Sequence, residues 1–84
     1  MSTRSDGSFL NDALVACQKI ESIISGVSEQ AFFRDEIRQA AILHHITVIG
    51  EALNRVSSEL RDRHTQILWR QIISVRNRIV HAYF

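Results

Sequence analysis

The sequence predicts an all-α protein, an antiparallel bundle of three main helices, and two observations carry that prediction. The 84 residues contain no proline and only three glycines, too few turn formers for a sheet protein. Apolar side chains also recur at intervals of three and four in three separate stretches, the spacing that lines one face of an α-helix. Residues 8–84 then form one domain behind a flexible tail, 1–7. A domain this small buries a modest share of its surface, so a partner is expected, most simply a second copy in a homodimer.

The first helix starts from N-cap chemistry in Asp6, Gly7 and Ser8 and buries Phe9, Ala13, Ala16, Cys17, Ile20 and Ile24 before ending near Gly26. Cys17 is the single cysteine, so no internal disulfide forms and a core position is expected for it. Ser28 opens a short turn through Phe32 and Phe33, whose rings are expected to plug one end of the bundle. A long helix follows from about Asp35 to Ser57, with acids at its positive end and a buried stripe of Ile37, Ala41, His44, Val48, Ala52 and Val56. Ser58 to Gln66 is a polar connection with room for one helical turn. The last helix begins near Ile67 and turns Leu68, Ile72, Val75, Ile79 and Val80 inward, with Trp69 as its anchor.

No apolar run is long enough to span a bilayer, and Met1 to Gly7 has no signal-peptide core, so a cytoplasmic protein is expected. Net charge is +1, but it is unevenly spread. Residues 1–60 carry five basic and eight acidic side chains, while residues 61–84 carry five arginines and one acid, Asp62. A basic end of this kind is either a solvated face or a hold on a phosphate backbone.

Within that basic end, Arg76-Asn77-Arg78-Ile79-Val80-His81-Ala82-Tyr83 brings a permanent cation, an imidazole and a phenol together. RNA cleavage without a metal needs a base for the 2′-hydroxyl proton, a cation on the charged phosphorus centre and an acid for the departing 5′-oxygen. His81 can serve as base or acid and Arg76 as the cation; the same spacing also describes a surface cluster with no chemistry. At 100° per residue, Arg76 and His81 stand about 140° apart, so a straight helix does not aim both at one atom. A long arginine reach, a distorted helix or two copies meeting across a two-fold axis resolves this, and the third is favoured. Asn77 precedes His81 by four residues, on its face, and is expected to orient the imidazole. Other candidates are weaker. His44 and His45 diverge by about 100°, poor geometry for one metal ion, and no metal or other cofactor is expected. His64 has no partner at ligand spacing, and Glu51 is expected to pair with an arginine of the last helix.

Arg76, His81 and Tyr83 complete the R-x4-H-x-Y motif, which resembles that of the HepT-like toxins of the HEPN superfamily. Ile49-Gly50-Glu51-Ala52-Leu53 and Trp69-Arg70-Gln71-Ile72-Ile73 extend the resemblance over about Phe9 to Phe84. The resemblance implies a toxin of a toxin-antitoxin module, a metal-independent endoribonuclease with two motifs bordering one cleft of a dimer. It also implies a nucleotidyltransferase antitoxin of the MNT type that transfers AMP to Tyr83. An alternative is a catalytically inert partner and AMP acceptor for that enzyme. Relatives usually carry a further helix after the motif, and this chain ends one residue beyond Tyr83, so three main helices are expected.

Overall fold

A computed structural model describes residues 4–83, with the side chain of Tyr83 outside the described part. The helices are α1 (Asp6–Ile24), α2 (Glu29–Phe33), α3 (Glu36–Asn54), α4 (Ser58–Arg63) and α5 (Trp69–Tyr83), and no strand occurs among the described residues. Four of the five starts have a side-chain cap: Ser5, Ser28, Asp35 and Ser57 each accept from the backbone N–H three residues on. The cap of α1 is therefore Ser5, and Asp6 and Gly7, expected in the tail, belong to the helix. Gly26, at φ 72°, supplies the left-handed turn that ends α1.

Helix α3 is the axis of the fold, with α1, α2 and α5 packed against it. Phe9 and Ala13 of α1 meet Ala52 and Leu53 at the far end of α3 and Val56 just beyond it, while Arg38 Nε, early in α3, donates to Ile23 O late in α1 at 3.1 Å. Those two contacts make α1 and α3 antiparallel. Trp69, Ile72 and Ile73 pack on the same cluster, and Ile79 lies beside Ile42 and Ile46, so α5 is antiparallel to α3 as well.

Using α3 from two sides explains where the expected stripes fail. A helix with neighbours on opposite flanks has no single apolar stripe, and most of Gln39 to Ile49 is half-buried. Ile37, placed in the stripe by spacing, is 84 % exposed, and His44 is exposed too. Helix α1 meets α3 along Phe9, Ala13, Ala16 and Ile20, and Cys17 stands about 80° off that line, exposed rather than in the core. Ile24 and Leu68, also expected inside, are exposed. Phe32 and Phe33 form an edge-to-face pair but plug nothing, for Phe33 is 61 % exposed. They border an open apolar groove of about 460 Å³ with Ile42, Leu43, Ile46 and Ile79.

Packing is concentrated at the other end, and polar latches hold it there. The Asp6 carboxylate accepts from Ser57 N at 2.8 Å and from Ser57 Oγ at 2.6 Å, tying the start of α1 to the start of α4. Arg61 Nη2 donates to Leu53 O at 2.8 Å, satisfying a carbonyl at the end of α3. Trp69 Nε1 donates to His64 O at 3.0 Å and anchors α5.

Gly50 sets the distance between α3 and α5. A Cβ there would stand 3.0 Å from Ile73 O, a backbone atom with no side-chain freedom to yield. Glycine costs a helix interior about 1 kcal/mol relative to alanine, whereas over-packing a close contact costs about 1–3 kcal/mol. The second term decides. Gly50→Ala is expected to destabilise the protein by about 1 kcal/mol in chemical denaturation, and Gly50→Val by more; an alanine variant as stable as the parent would show that the two helices separate freely.

The Asp6 latch predicts a pH dependence. Hydrogen bonds from the Ser57 hydroxyl and amide hold the Asp6 carboxyl below its ordinary 3.8. A carboxyl depressed by folding contributes stability that is complete above the unfolded value and lost as pH falls through the folded one. Ser57→Ala, which also removes the α4 cap, should lower the melting temperature by about 4–8 °C near neutrality. That gap between parent and variant should narrow as pH falls below the ordinary 3.8 and Asp6 protonates in the folded protein.

Candidate functional site

The close approach at Gly50 creates a cleft of about 320 Å³ between α3 and α5. From α3 it is lined by Thr47, Gly50, Glu51 and Asn54; from α5, by Ile73, Arg76 and Asn77. Each set follows from helical spacing. Residues 47, 51 and 54 recur at four and three, and 73, 76 and 77 fall within just over one turn.

Arg76 is exposed and makes no ion pair among the described residues. Its Nη1 donates to Asn77 Oδ1 at 3.4 Å, a long hydrogen bond to a neutral group. The amide expected to orient His81 thus faces Arg76, and no hydrogen bond joins Asn77 to His81 among the described residues. His81 itself is exposed, one turn further along α5, and does not line the cleft. Arg76 and Asn77 come together with α3; His81 does not join them. Tyr83 is the last residue of α5, and its side chain lies outside the described residues.

Glu51 departs from its expected role. It makes no ion pair with an arginine of α5 among the described residues, although it shares the cleft with Arg76. Thr47 and Asn54 were not singled out by sequence, and the signal that could have found them is their regular spacing around Glu51 beside a helical glycine. Thr47 Oγ1 donates to Leu43 O at 2.9 Å, which leaves the oxygen free to accept.

The other histidines stand apart from this cleft. His44 and His45 have ring centroids 5.1 Å apart, and burial lowers His45 from its ordinary 6.5, with repulsion from His44 and Lys19 adding to it. Among the described residues no three His, Cys, Asp or Glu side chains are grouped to hold a metal ion. No helix of the described residues is long and apolar enough to cross a membrane.

The family model described as ribonuclease HepT-like matches residues 13–84. A protein of Thermococcus cleftensis named probable ribonuclease HepT is 30 % identical over 81 residues, covering 96 % of this chain and 74 % of the relative. A candidate RNase of Caldanaerobacter subterraneus subsp. tengcongensis is 28 % identical over 76 residues, covering 90 % and 68 %. Another candidate RNase, from Methanocaldococcus jannaschii, is 24 % identical over 84 residues, covering 100 % and 77 %. No solved structure matches the chain. With the match running through all three long helices and across the cleft, the chain belongs to the ribonuclease HepT-like family of the HEPN superfamily.

Proposed function

We propose that this protein is a metal-independent endoribonuclease, the toxin subunit of a toxin-antitoxin module, whose site is completed by dimerisation. The observation that carries the reading is the separation of two functional groups on one exposed helix. Arg76 lines the α3–α5 cleft as a cation with no ion pair among the described residues, and His81 stands outside it. Two copies related by a two-fold axis bring the arginine of one chain toward the histidine of the other. Relatives carrying ribonuclease names support RNA as the substrate.

In the reaction the 2′-oxygen attacks the adjacent phosphorus while its proton passes to a neutral His81 imidazole. Negative charge builds on the phosphoryl oxygens, where the Arg76 guanidinium neutralises it. As the P–O5′ bond breaks, the 5′-oxygen takes a proton from solvent, and the His81 imidazolium returns its own proton there. The products are a 2′,3′-cyclic phosphate and a 5′-hydroxyl. Asn77, through its bond to Arg76, supports the phosphate-holding group.

Regulation falls to Tyr83. Its phenol oxygen attacks the α-phosphorus of ATP in the antitoxin, a nucleotidyltransferase; pyrophosphate leaves, the phenolic proton goes to solvent, and AMP remains on the toxin. A bulky anion at position 83, seven residues from Arg76 and nearly two turns along the helix, competes for the site that holds RNA phosphate.

Arg76→Ala and His81→Ala are each expected to reduce cleavage of single-stranded RNA, in the presence of chelator, by about 100-fold or more. Mixing the two inactive variants should restore about one quarter of parental activity, because half the dimers are mixed and each mixed dimer keeps one intact site. A mixture as inactive as its parts would place the site within one chain. Incubation with ATP and the antitoxin should add the mass of AMP to the parent and nothing to Tyr83→Phe, which keeps its RNA cleavage. An adduct on a protein that cleaves no RNA would instead support the inert AMP acceptor.

A further inference from the structure

The cleft that holds Arg76 also contains a carboxylate, and that is an odd neighbour for a phosphate site. Glu51 faces the same space from α3, yet makes no ion pair with Arg76 or any other cation among the described residues. It is exposed, caps no helix and packs into no core, so stability does not require it. A negative charge there repels incoming phosphate, and the repulsion is offset only if the carboxylate accepts a hydrogen bond from another part of the ligand.

We infer that Glu51, flanked by Thr47 and Asn54, forms a ribose-recognising subsite on α3, and that its carboxylate accepts a hydrogen bond from the 2′-hydroxyl of the ribose on the 5′-oxygen side of the phosphate held by Arg76, leaving the attacking 2′-hydroxyl to His81. This inference rests on the ribonuclease reading above. Three features of the cleft favour a sugar hydroxyl as the donor. The ribose is covalently adjacent to the phosphate, so a ligand anchored at Arg76 carries its hydroxyl into the same cleft. Thr47 and Asn54, one turn to either side of Glu51, add neutral groups that suit a sugar: the Thr47 oxygen, whose hydrogen goes to Leu43 O, accepts, and the Asn54 amide can donate and accept. The floor between the two polar walls is Gly50 and Ile73, and among the described residues lining the cleft there is no aromatic ring on which a base could stack. The 2′-hydroxyl is also the group that separates RNA from DNA, so a carboxylate that binds it turns a general phosphate hold into an RNA-selective one.

The test is the binding of a single-stranded RNA 12-mer and of DNA of the same sequence, all in a His81→Ala background that stops cleavage. Adding Glu51→Ala should weaken RNA binding about tenfold, in line with the loss of one hydrogen bond to a charged group, and leave DNA binding unchanged or stronger. Glu51→Gln, which keeps an acceptor oxygen, should retain part of the preference for RNA. Adding Arg76→Ala should weaken both ligands together. Melting temperatures of the Glu51 variants should match the background. Equal weakening of RNA and DNA by Glu51→Ala, or no change in either, would overturn the ribose assignment while the effect of Arg76→Ala leaves the phosphate site standing. RNA and DNA binding that survive Arg76→Ala would overturn the ribonuclease reading itself. A loss confined to one base identity at a single position would assign Glu51 to a base edge and likewise overturn the inference.

Discussion

The spacing of α3 and α5 depends on a side chain that is missing. At Gly50 the backbone of α3 lies so near Ile73 O that a Cβ would stand 3.0 Å away, and this contact sets how close the two helices run. One turn along α5 from Ile73 come Arg76 and Asn77, so the same contact fixes their distance from Thr47, Glu51 and Asn54. A larger residue would not merely strain the pair. It would widen the cleft and move the guanidinium away from the α3 wall, because rigid helices transmit a displacement along their length. Stability and site geometry therefore share one determinant.

The rest of the molecule is arranged to keep that crossing in place at one end. Phe9, Ala13, Ala52, Leu53 and Val56 form a small cluster, reinforced by Trp69, Ile72 and Ile73, and no large side chain among the described residues is fully buried. A core this thin leaves much of the positioning to directional contacts. Asp6 bonded to Ser57, Arg61 to Leu53 O and Trp69 to His64 O all lie around the α3–α4–α5 connection, the segment that must turn the chain back for α5 to meet Gly50. At the other end the apolar groove of Phe32, Ile42, Ile46 and Ile79 is open, so His81, two residues after Ile79, stands on the less closely packed half of α5.

Much of this was legible in the sequence, and the failures have a common cause. Absent proline, paired apolar spacings and cap residues are local signals, and they gave the helices and the all-α class correctly. Burial is not local. Reading one stripe along α3 assumed one partner, whereas α3 is flanked by α1 and α5, which is why Ile37 and His44 come out exposed. Cys17 failed for a related reason, since spacing of four from Ala13 admits it to a broad stripe but α1 meets only a narrow one. At the site, the angular separation of Arg76 and His81 followed from helix geometry alone. What no single helix could disclose was the opposite wall, since Thr47 and Asn54 acquire meaning only from the helix that crosses them.

The choice of partner for Arg76 shows how such a wall can be polar without silencing the site. A guanidinium paired bidentately with Glu51 would be well ordered but neutral, and an incoming phosphate would have to displace a carboxylate to reach it. Left wholly unpartnered, a long arginine would lose rotameric freedom when it bound, at a cost in affinity. The bond from Arg76 Nη1 to Asn77 Oδ1 lies between these limits, orienting the group through a neutral oxygen while its full charge stays available. Asn77 can do this because it is the next residue on the same helix, so the restraint needs no contribution from another element. Glu51 is then released from charge pairing, and its carboxylate is available to whatever hydroxyl a bound nucleotide presents. The local sequence Arg76-Asn77 thus sets the role open to a residue twenty-five positions earlier.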